Sequence, residues 1–105
     1  MAWTYLVIAG VMEWGWPVGL KLAANPAQRV WAIGLAVASI VLSGYFLFVA
    51  QRTIPIGTAY AVWTGIGAVG TFLLGILIFH EPATLARFLF VGLIVGGILG
   101  LKWAS

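Results

Sequence analysis

The sequence predicts an all-α integral membrane protein, a single membrane domain over residues 1–105 crossed by four helices. Three observations predict it. Of the 105 residues, 64% are hydrophobic and only 7% are charged, with a mean hydropathy of +1.16. A soluble domain of this size leaves roughly a third or more of its extended surface wet and cannot hide that much apolar area. The apolar residues also fall in runs of about twenty, the length needed to cross a hydrocarbon core about 30 Å thick. Finally, these runs do not alternate apolar and polar positions, as the strands of a membrane barrel do.

The first run, about 3–21, has no basic leading segment, and no small-residue cleavage site comes before Lys21. It is therefore expected to stay in the protein as a helix and not to be removed as a signal peptide. The second run covers about 30–50, the third about 56–79 and the fourth about 85–103. Short connectors separate them, "AANPAQ" (23–28), "QRTIP" (51–55) and "HEPAT" (80–84), each carrying a proline. Little is left over for a soluble domain. The chain has no cysteine, so disulfide and thiol chemistry are excluded.

Charge says where the chain sits but not which way up. Lys21, Arg29 and Arg87 fall on one side, and Arg52, Lys102 and the terminal amine on the other. The basic residues lie at helix ends, where lipid headgroups are the simplest partner, and nucleic acid is not expected. The even balance leaves two readings open. Either the chain has one orientation that charge does not resolve, or it inserts both ways and works as an inverted pair. Four helices scarcely enclose a polar cavity, and no internal repeat is visible, so an antiparallel homodimer would supply both walls and symmetry. Gly92, Gly96 and Gly100 in "GLIVGGILG" (92–100) share one helical face and suit close helix packing, although glycine is common in membrane helices generally.

The residue that oil should exclude is Glu13, in "GVMEWGWPVGLK" (10–21). It lies about ten residues into the first run, about 15 Å deep and near the midplane. A protonated carboxyl is tolerable there, whereas an ionised one needs a cation. Competition between proton and cation for one acid describes an exchanger. The alternative is a structural carboxyl bonded between helices. Glu81 and His80 border the fourth run and read as interface residues.

Neighbouring residues suggest a pocket. Gly10 and Trp16 lie three residues either side of Glu13, one offering room and the other an indole face and one N–H donor. Ser39 and Ser43 share a face with Phe46 in the second run, and Tyr60 and Trp63 share one in the third. Aromatic residues near helix ends also serve as headgroup anchors, which suits Trp3, Trp31 and Trp103. Pro17 has no N–H, so the Glu13 carbonyl loses its helical partner, which gives either a cavity-lining kink or a simple packing kink.

These residues are where the chain resembles the small multidrug resistance transporters. Gly10, Glu13, Trp16, Leu20 and Lys21 match the pattern "GxxExxW…LK", and "PIGTAYAVWTGIGAVG" (55–70) matches the opening of the third helix. Trp16 and the wording of the third helix resemble the guanidinium exporter subtype. Members usually carry a small residue where Pro17 stands, and "EVVW"-like wording where this chain has "EWGW".

The resemblance implies an antiparallel homodimer in a bacterial inner membrane, exporting guanidinium-type cations in exchange for protons. Glu13 would bind proton and substrate in turn, and Trp16, Ser43, Tyr60 and Trp63 would orient the carboxylates and frame the pocket. The glycine-rich third helix would flex between open states, and the fourth would form the dimer seam. No cofactor, metal or catalytic residue is implied. A broader quaternary-ammonium exporter and a non-transporting membrane subunit pairing through the fourth helix stand as alternatives. A membrane-embedded enzyme has little support, since one buried acid and one interfacial histidine make neither a metal site nor a nucleophile–base pair.

Overall fold

Four apolar runs fold into five helices. The computed structural model describes residues 1–104 and consists of α1 (Ala2–Met12), α2 (Gly15–Leu22), α3 (Arg29–Ala50), α4 (Ile56–Phe79) and α5 (Leu85–Ala104). Among the described residues there is no strand. With 22, 24 and 20 residues respectively, α3, α4 and α5 are each long and apolar enough to cross a membrane. The first run is divided. Eleven residues of α1 and eight of α2 meet at Glu13 and Trp14.

Pro17 explains the division. The Glu13 N–H still bonds Ala9 O at 3.0 Å, but the Trp14 N–H reaches only three residues back, to Val11 O at 3.1 Å. The donor that would continue the ladder to the Glu13 carbonyl is the one proline lacks. Pro17 itself lies in the first turn of α2, where a missing N–H is tolerated. Helical φ and ψ persist at both Glu13 and Trp14, so the two pieces form one bent, nearly continuous helical segment.

Small residues let the bundle close. The buried positions of α3 are Ala32, Ala36, Ser39, Ser43 and Ala50, and both α1 and α2 pack on that helix. A Cβ on Gly19 would come within 2.7 Å of Ala32 O, which is how closely the α2 and α3 backbones approach. α1 also packs on α4, where Leu6, Ala50, Ile54, Ala59 and Val62 form a buried cluster. α5 packs chiefly on α4, through Ile94 and Ile98 beside Gly65 and through Phe88 edge-on to Phe72 at 5.4 Å. No residue of α5 is buried.

The connectors close by local polar contacts. Asn25 Oδ1 accepts the Ala27 N–H at 3.1 Å, and Arg29 Nε donates to Ala23 O at 3.0 Å. His80 ends α4 in the left-handed conformation, φ 57° and ψ 35°, the one positive-φ non-glycine residue among those described. That turn lets the Glu81 N–H cap Gly75 O at 3.2 Å, a helix-ending geometry usually given to glycine. Arg87 then sits over the Phe72 ring at 4.8 Å, with its guanidinium 3.9 Å from Glu81.

Candidate functional site

The bend between α1 and α2 turns residues 13–16 toward three different surroundings. Glu13 and Trp16 line an open cleft of about 250 Å³ with Pro17, Thr64, Gly67, Ala68 and Thr71. Trp14 points elsewhere: its Nε1 donates to Ile66 O on α4 at 2.9 Å, and its ring fills the notch at Gly70, where a Cβ would overlap the indole. Gly15 faces Ser39 on α3 with no room for a side chain. The acid is thus carried by a joint that is pinned to α4 on one side and pressed on α3 on the other.

Gly67 is the seat of the carboxylate arm. A Cβ there would stand 2.8 Å from Glu13 Cγ, inside normal contact. Glycine at this position lets the acid lie flat against α4 with its head toward the cleft. The expected room at Gly10 is used differently. Gly10 is buried against Ile66, 2.6 Å from where a Cβ would be, and takes no part in lining the cleft.

Ser43, Tyr60 and Trp63 do not line the cleft. Ser43, with no exposed surface, donates to Ala9 O at 2.7 Å and accepts from Trp63 Nε1 at 2.8 Å. The same Ala9 carbonyl receives the Glu13 N–H. A chain of bonds therefore runs from α4 through α3 to the turn that presents the acid. Tyr60 is 59% exposed and extends this group to the surface, its ring 5.4 Å from that of Trp63.

The remaining sequence candidates lie elsewhere. Gly92, Gly96 and Gly100 have nothing within 4 Å of where their Cβ atoms would be, so that face of α5 is open in the single chain. Glu81 lines a second, smaller cavity of about 100 Å³ with Lys21 and Phe79. The two cavities share Pro17 and Thr71, and so abut along the seam between α2 and α4.

Sequence reasoning missed Thr64, Gly67, Ala68 and Thr71 as cleft residues. Their signal is the three- and four-residue spacing that puts them on one face of α4. It is masked in a helix apolar all round, whose inner and outer faces differ little in hydropathy. The role of Trp14 was missed for a related reason. Adjacent helix positions diverge by about 100°, and only the packing shows that Trp14 and Trp16 serve different partners.

An all-helical, multi-pass membrane protein with a lone carboxylate at the break in its first apolar run is the class these features define. Comparison with known proteins narrows it. The family described as "Small Multidrug Resistance protein" matches residues 1–94. A protein named "Guanidinium exporter" from Yersinia pseudotuberculosis (strain IP32953) is 50% identical over 105 residues, covering 100% of both chains. Proteins of the same name from Citrobacter freundii and Salmonella typhimurium are each 49% identical, covering 100% of this chain and 99% of theirs. The chain belongs to the small multidrug resistance family.

Proposed function

We propose that this protein exports guanidinium or small guanidinylated cations across a bacterial inner membrane in exchange for protons, working as an antiparallel homodimer. Glu13 is the exchange group, binding proton and cation in turn. The full-length relatives named as guanidinium exporters support the substrate. Support for the mechanism comes from one observation above all. The only acid within a membrane segment sits on a break in its helix, beside an open cleft and against a glycine that lets it lie there.

The chemistry is that of one site with two guests. A bare carboxylate at this depth costs several kcal/mol, and either a proton or a cation removes that cost. Neither guest binds well while the other is present, so movement of one across the membrane is tied to movement of the other. Trp16 supplies an aromatic face for a cation and a donor for the carboxylate. Ser43 and Trp63 act at one remove, by fixing the Ala9 turn that holds Glu13. The open glycine face of α5 is the proposed seam between the two copies.

The test is electrophysiology of purified protein in a solid-supported membrane. If the two Glu13 carboxyls of the pair give up two protons for each singly charged cation, exchange moves net charge. Guanidinium gradients are then expected to drive currents that reverse with the proton gradient, and Glu13→Gln should abolish them in protein that still assembles. Currents that survive the substitution would remove the exchange role from Glu13.

A further inference from the structure

The cleft beside Glu13 is poor in acceptors, and the few it has are placed on one line. Of its seven lining residues, Pro17, Gly67 and Ala68 have no polar side-chain atom, and the Trp16 indole only donates. Glu13, Thr64 and Thr71 alone carry side-chain acceptors there. The two threonines stand on α4 on either side of Gly67, the glycine on which Glu13 rests, one turn toward Pro55 and one turn toward His80. Among the described residues nothing hydrogen-bonds either hydroxyl, although threonine in a helix often turns its hydroxyl back onto its own backbone.

We infer that Thr64 and Thr71 are the specificity-determining residues of the cation site, an inference that rests on the export of guanidinium-type ions proposed above. Guanidinium is planar and rich in N–H donors. A carboxylate engages two of them side by side, and the others point outward. In this cleft the threonine hydroxyls are the side-chain groups that can receive those outward donors. The two lie about 10 Å apart along the helix at 1.5 Å per residue, so a bare guanidinium paired with Glu13 reaches one at a time. It can lean toward either end of α4 without leaving the acid. A quaternary ammonium has no donor, draws nothing from the hydroxyls and is held by charge and the Trp16 face alone.

The inference therefore concerns a ratio of affinities. Binding of guanidinium and of tetramethylammonium is measured by calorimetry on purified wild-type protein and on Thr64→Val, Thr71→Val and the double variant. Valine keeps the branched shape and removes only the hydroxyl. Each single change should weaken guanidinium about threefold, because the other hydroxyl remains. The double change should weaken it about tenfold or more, the loss expected for a hydrogen bond to a charged donor, with tetramethylammonium held within about twofold. The Thr64→Ser/Thr71→Ser protein, which keeps both hydroxyls, should recover the wild-type ratio and separates loss of hydroxyl from loss of fold. A double valine variant that keeps the wild-type ratio would overturn the inference while leaving guanidinium export standing. Wild-type protein that fails to bind guanidinium at all would overturn both.

Discussion

The bent segment formed by α1 and α2 and the straight helix α5 are built from similar residues and treated in opposite ways. The bent segment is broken by a proline, packs against α3 and α4, and shares hydrogen bonds with both through Trp14 and Ala9. α5 is continuous, buries none of its residues and touches chiefly α4. Both carry glycines, but those of the bent segment are filled by neighbours, while Gly92, Gly96 and Gly100 meet nothing. In a bilayer, apolar surface alone does not bring helices together, because lipid tails are as apolar as leucine. What distinguishes the two regions is therefore contact geometry and polar bonding. The segment that holds the acid meets two helices in this way, whereas α5 packs chiefly on α4 and keeps its glycine face open for another chain.

Substitutions can break that contrast, and the largest effect belongs to the acid. Glu13→Gln should eliminate guanidinium-driven current while leaving the amount of folded protein unchanged, read by size-exclusion profile beside the electrophysiology. Next comes the notch under Trp14. Gly70→Leu forces a side chain into space the indole occupies, and overpacking of this kind costs about 1–3 kcal/mol. The expected result is a lower unfolding temperature in detergent. Restoring space with Trp14→Ala in the same chain should recover part of the loss, which a general intolerance of leucine at that position would not allow.

On the open side, Gly96→Leu should leave the thermal stability of the single chain nearly unchanged but weaken self-association at least tenfold, measured by dilution and crosslinking in lipid. An unchanged association constant would remove α5 from the seam. Ser43→Ala should have a smaller effect. It deletes one donor to Ala9 O and strands the Trp63 N–H, for about 1 kcal/mol of stability by reversible unfolding. His80→Gly closes the series with a gain of about 0.5–1 kcal/mol, since glycine adopts the left-handed turn without a side-chain penalty.

Much of this was legible before the structure. Run length and the absence of alternation identified an all-helical membrane protein, because a bilayer imposes both on any chain that spans it. Glu13 announced itself as the one charge where charge is expensive. Pro17 announced a kink, although the chain goes further and divides the first run into two helices. Positions whose meaning depends on a partner were not legible. Gly10 looked like free space until Ile66 was seen to fill it, and Gly67 looked like one glycine among several until Glu13 was found resting on it. Trp14, next to the acid in sequence, is an anchor to α4. Helix periodicity assigns a residue to a face, but which helix meets that face follows from packing.

The proline that interrupts the first apolar run also leaves a spectroscopic handle. With no amide proton four residues ahead, the Glu13 carbonyl vibrates outside the ladder that couples its neighbours. An isotope-edited infrared band from that single bond would report solvent and ions arriving beside the acid, in unmutated protein and without a fluorescent tag.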